Sequence, residues 1–238
     1  MSREVTIKEN NFLSIFSDAV VLYESALSCT DDVLKNALVK SSILSVNYAL
    51  EAAANSFLQS LKASERLKKK IDMFSTLDKF DFVLQWHTDH CIVPGDPSVQ
   101  AVANLISNRN NMVHPKTFKN SAEVLTSVDS EGRISHSIKQ KFKSGQDRKR
   151  KLLDNDPDYW TELDAKEALI IMTSFLNIYV EDWWGIGFEQ AELFLFQTWD
   201  GSIHARPVMY REHQIKTLLR HESFLQIRFM GLHGLISD

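Results

Sequence analysis

A chain of 238 residues, 44% hydrophobic and 24% charged, carries enough apolar side chain for one substantial core and, by length, one or at most two domains. Its formal net charge of -4 excludes a global basic field, so a nucleic-acid partner would have to be held by local patches. Only 8 Gly and 5 Pro interrupt it, which predicts long helices in place of a turn-rich sandwich or barrel.

In chain order, residues 12–28 show apolar side chains at helical spacing, and Thr30 with Asp31 and Asp32 predicts a cap followed by acids in a first turn. Along the next segment Val46, Ala49, Leu50, Ala53 and Phe57 fall at offsets of three, four, seven and eleven, the stripe of a packed helix. Ser64 is placed to cap a third stretch whose Leu77, Phe80, Phe82 and Leu84 need a core and whose lysines are expected on the wet face. Asp96 followed by Pro97 predicts a cap and a first-turn proline. A further helix is expected near Asp164, with Asp164 and Glu167 at capping-box spacing. Leu169, Met172, Leu176, Tyr179, Val180 and Trp183 extend its stripe and Gly185 stops it.

Between these helices an irregular insertion runs over about 117–160, in which LTSV and RISHSI flank DSEG as a hairpin candidate. Beyond Gly187, FEQAELFLFQTW and an amphipathic run over 215–229 would cover a core edge or a partner. The division that follows is a helical bundle over 1–185 and a C-terminal extension over 186–238.

Cys29 and Cys91 are too few for a disulfide framework and read as reduced thiols, and no targeting or membrane-spanning run appears, so a cytoplasmic protein is expected. The stretch WHTDHC gathers His87, Asp89, His90 and Cys91, but its spacing matches no familiar metal motif, and neither a metal nor a cofactor is expected.

The helix beginning at Pro97 ends on RNNMVH, residues 109–114. Taking Val99, Val102, Ala103 and Ile106 as its stripe, Asn110 and Val113 continue it and Asn110 should face buried surroundings. Arg109 and His114 then stand on opposite margins, about 140° apart on a regular helix. Pro115 biases His114 out of αR, so the helix should end there, at the negative end of its dipole. A histidine titrating near neutrality can donate or accept a proton, and an arginine offers a permanent cationic fork to phosphate. Residue types alone do not compel this: a paired arginine, a seam asparagine and a terminal histidine are ordinary structural devices.

RNNMVHPK resembles the Arg-Asn-x-x-x-His signature of the HEPN superfamily of helical-bundle ribonucleases, toxins and defence proteins. The resemblance takes in NYALEAAANSFL, LDKFDF and GDPSVQAVANLI, and spans 12–116 and 164–184. It implies a mainly α, HEPN-like antiparallel bundle acting as a homodimer whose motifs share one cleft, with Arg109, Asn110 and His114 as catalytic residues. Attack by the ribose 2′-OH on the adjacent phosphate would then cleave RNA without a metal. Roles in stress, toxin–antitoxin or antiphage systems follow by the same resemblance, with an antitoxin or regulatory protein as a further partner. Glu51 is a secondary candidate, able to pair with Arg109 or to stand exposed. Lys116 and the basic run Lys139, Lys141, Lys143, Arg148, Lys149 and Arg150 are candidate RNA contacts, although a solvated basic loop has the same composition. The competing reading is a non-catalytic HEPN-like module that dimerises or binds a nucleotide.

Overall fold

A run of small and branched apolar residues on one face of the second helix organises the structure, a computed structural model describing residues 4–113, 123–139, 153, 157–199 and 208–234. Helices α1 (Phe12–Ser28) and α2 (Asp32–Phe57) form an antiparallel hairpin. Val46, Ala49, Leu50, Ala53 and Phe57 are all fully buried, as their spacing predicts. The alanines let neighbouring helices approach closely while Phe57 supplies bulk. The cap of α2 is Asp31, one residue later than Thr30, because its carboxylate reaches the Leu34 N–H at 2.8 Å.

The third predicted stretch is two helices. Ser64 caps α3 (Glu65–Ile71), the chain breaks over 72–75, and Ser75 caps α4 (Thr76–His87). Phe80 and Leu84 are fully buried, Leu77 and Phe82 half-buried. Lys79 departs from the expected wet face: it is buried, and its ammonium donates to Asn55 Oδ1 at 2.8 Å. Asp96 and Pro97 open α5 (Pro97–Val113) as expected, with Asp96 Oδ1 accepting the Ser98 N–H at 2.8 Å. The Ser98 hydroxyl, and after it that backbone bond, hold the Asp96 carboxyl below its ordinary pKa.

Strands β2 (Glu123–Val128) and β3 (Ile134–Lys139) pair antiparallel as the predicted hairpin, with Val128 opposite Ile134 and an exposed outer surface. Helix α6 (Glu162–Asn177) starts two residues before Asp164, and its capping box is Thr161 with Asp164, not Asp164 with Glu167. Asp164 Oδ2 accepts the Thr161 N–H at 2.7 Å, which places the acid in the first turn near the positive end of the helix dipole. A π-helical turn, Ile178–Trp184, extends α6 until Gly185 stops it in the left-handed conformation at φ 69°.

The chain beyond Gly187 is part of the same core. Helix α7 (Phe188–Leu195) runs into β4 (Gln197–Trp199), which pairs on one side with β1 (Ile7–Lys8) and on the other with β5 (Val208–Met209), all antiparallel. Helices α8 (Glu212–Leu219) and α9 (Glu222–Leu225) and the turn after them bury Leu218, Leu225, Ile227, Phe229 and Met230. These residues join one hydrophobic cluster with α1, α2 and α6. An aromatic group at its centre stacks Phe57 on Tyr179 and sets Phe80 edge-on to Tyr179 at 4.8 Å. The Tyr179 hydroxyl donates to the Phe80 carbonyl at 2.9 Å, and burial holds its phenol well above the ordinary tyrosine range.

One polar latch ties the tail to α1. Glu24 accepts from Arg220 Nε and Nη2 at 2.9 and 2.8 Å and meets His221 Nε2 at 2.8 Å. The Arg220 hydrogen bonds, with His221 beside them, lower the Glu24 pKa against partial burial. A carboxylate whose folded pKa lies below its unfolded value stabilises the fold above the unfolded value, here 4.5, and loses that contribution as pH falls through the lowered one. The melting-temperature difference between wild type and Glu24→Gln is therefore expected to be present at neutral pH and to shrink in acid below pH 4.5. A difference independent of pH would contradict this assignment.

Candidate functional site

Helix α5 lies against α2 and α6 and turns a face toward them that differs from the expected one. Val99, Val102 and Leu105 are buried and Ile106, Arg109 and Met112 half-buried, whereas Ala103, Asn110 and Val113 are exposed. The seam follows steps of three and four through Leu105, so Arg109 falls on it and Asn110 is rotated about 100° away into solvent. The expectation of a buried Asn110 is thus overturned, and of the two motif residues described, Arg109 is the one facing the bundle.

Arg109 meets Glu51 on α2, Nη2 to Oε2 at 3.2 Å, with side-chain exposures of 18% and 40%. The contact is single, not the bidentate fork that arginine and carboxylate form at their strongest. The guanidinium carbon lies 6.0 Å from the centroid of the Tyr48 ring, at the outer edge of cation–π range. Arg109 Nε, and Asn47 Oδ1 one turn before Glu51, are buried and have no hydrogen-bond partner among the described residues. Glu51 Oε1 has no protein partner among the described residues. The secondary candidate and the motif arginine are therefore brought together, with donors and an acceptor still uncommitted.

Glu51 also borders an open groove of about 620 Å³. Tyr48, Glu51 and Asn55 of α2, with Gln59 in the 3₁₀ turn that follows it, form one wall, and Lys8, Glu9, Asn10 and Asn11 the other. Asn10 is pinned in place: its amide donates to Ser56 Oγ at 2.7 Å and to the Phe194 carbonyl, and its Oδ1 accepts the Phe12 N–H at 2.8 Å. The second wall is held by the pairing of Lys8 with Thr198 in the sheet, so the tail helps build this groove.

No family model, curated protein or solved structure matches this chain.

His114, Lys116, Lys141, Lys143, Arg148, Lys149 and Arg150 lie outside the described residues, as does the side chain of Lys139 at the end of β3. The WHTDHC residues do not gather as a ligand set. His87 Nε2 meets Ser60 Oγ at 2.8 Å and its ring stacks on Trp184 at 5.2 Å, where burial lowers its pKa. Among the described residues no group of three or more His, Cys, Asp or Glu could hold a metal, and Cys29 and Cys91 are free thiols. No helix among them is long and apolar enough to cross a membrane. Sequence reasoning overlooked the groove because it followed the apolar face of α2. The signal was on the other face, where Tyr48, Glu51, Asn55 and Gln59 recur at offsets of three, seven and eleven.

Proposed function

We propose that this chain is a metal-independent endoribonuclease of the HEPN type, working as a cytoplasmic homodimer in stress, toxin–antitoxin or antiphage defence. The observation that carries the reading is Arg109 on the inner seam of α5, five residues before His114, held by Glu51 at the rim of an open groove. A half-buried guanidinium positioned by a carboxylate loses little freedom when it takes up a phosphate, and its charge is stronger there than in bulk water. In the reaction the 2′-oxygen bonds to phosphorus while the bond to the 5′-oxygen breaks. His114 residues take the proton from the 2′-OH and return one to the departing 5′-oxygen, and Arg109 stabilises the charge on the phosphorane-like transition state. Products are a 2′,3′-cyclic phosphate and a 5′-hydroxyl, and DNA is spared for want of the nucleophile.

The Arg109–Glu51 pair also favours a second reading, since a carboxylate already offsets the arginine charge. A non-catalytic HEPN-like bundle that dimerises or binds a nucleotide would use the pair in this way, as a link between α2 and α5. Cleavage of single-stranded RNA in EDTA separates the two. The enzyme reading expects cyclic-phosphate products from wild type and a loss of about 10²- to 10⁴-fold in His114→Ala. Equal rates in both proteins, or no cleavage of any RNA in a broad panel, would overturn it.

A further inference from the structure

We infer that the groove beside Glu51 is a binding site for one unpaired nucleobase, and that its acceptor-rich wall selects guanine. The inference rests on the ribonuclease reading for its place in catalysis, where it would seat a base next to the phosphate held by Arg109. Its chemistry is independent of that reading. Tyr48 is 46% exposed, lines the groove and has its ring 6.0 Å from the Arg109 guanidinium carbon, so it offers an aromatic platform that every base can use. The polar rim supplies what reads a base edge. Glu51 keeps Oε1 uncommitted, Glu9 is exposed, and Asn55, its Oδ1 occupied by Lys79, presents an amide N–H₂. Asn11 and Gln59, both exposed, add an amide each from opposite walls.

Carboxylates accept and cannot donate, so they favour a base edge with adjacent donors. Guanine presents two, N1–H and the 2-amino group, and an amide on the opposite wall can donate to its O6. Adenine and cytosine offer a single amino group and uracil one ring N–H. With Glu9 and Glu51 against the single ammonium of Lys8, the groove lining is net negative and disfavours a phosphate, which leaves the sugar–phosphate chain to the Arg109 side. A volume of about 620 Å³ accommodates a mononucleotide, within the range of small-molecule sites.

The test is calorimetric titration of the intact protein in EDTA with GMP, AMP, CMP and UMP, and with inorganic phosphate as the base-free control. GMP should bind tightest and UMP weakest, with phosphate alone weaker than either. Tyr48→Ala should weaken GMP binding about tenfold, while Tyr48→Phe, which keeps the ring, stays within about twofold of wild type. Glu51→Gln replaces an acceptor by a donor and should bring GMP and UMP affinities together. Absence of GMP binding by wild type, equal affinity for all four nucleotides, or Tyr48→Ala binding like wild type would each overturn the site. Mononucleotides have no bond to cleave, so the two proposals fail separately. A protein that prefers GMP but cuts no RNA keeps the base site and loses the ribonuclease, and one that cuts RNA without base preference does the reverse.

Discussion

Arg109→Ala is expected to slow RNA cleavage by about 10²- to 10³-fold, the usual cost of removing one preorganised donor from a developing oxyanion. Arg109→Lys should recover only part of the loss, because an ammonium keeps the charge but not the planar fork that grips two phosphate oxygens. The fold should hardly notice. Glu51 is 40% exposed and would be rehydrated when its partner is removed, so the ion pair contributes at most about 1 kcal/mol. Rates in EDTA, set beside melting temperatures of the same proteins, check both halves. A cleavage rate that survives Arg109→Ala would remove the arginine from the chemistry, and a collapse of the melting temperature would make it a structural link.

Parts of the fold were legible in the sequence because they depend on local chemistry. Asp96 with Pro97, the left-handed Gly185 and the α2 stripe each follow from one turn of chain and one periodicity. The hairpin around DSEG was legible for the same reason, its strands being six residues each with a tight connection. What failed was decided at a distance. On α5 the stripe through Val99 and Val102 can widen toward Ala103 or toward Leu105, side chains about 160° apart around the helix, and only packing against α2 and α6 selects the second. That choice exchanges the roles of Arg109 and Asn110. The pairing of Lys8 with Thr198 joins opposite ends of the chain through a strand of two residues, too short to leave a pattern. The Arg109–Glu51 pair was foreseen as one alternative, since both side chains are long and charged. The groove beside it depends on the tail and was not.

Asn177 grips the turn after α9, and Asn177→Ala is expected to destabilise the protein by about 1–3 kcal/mol. Asn177 is buried at the end of α6. Its amide donates to the Gln226 carbonyl at 2.8 Å, and its Oδ1 accepts the Arg228 and Phe229 N–H groups, each at 3.0 Å. Truncation leaves the Phe229 N–H without a partner, at a cost of about 1–3 kcal/mol where water cannot reach it, and reduces the Gln226 carbonyl and the Arg228 N–H to the one bond they share at 2.8 Å. The turn it grips is also strained. Gln226 sits at φ 47°, in the left-handed region that costs a side-chain-bearing residue about 1–2 kcal/mol, and Asn177 bonds the backbone on both sides of Ile227 just after it. Nearby Gly231 at φ 63° admits no side chain, because a Cβ there would lie 2.6 Å from the Phe188 ring. The tail therefore has little room to find another seat. Urea denaturation gives the total, and amide hydrogen exchange over 226–230 should show early local opening in the variant. Unchanged exchange there would mean that the apolar anchors Ile227, Phe229 and Met230 hold the tail without the asparagine.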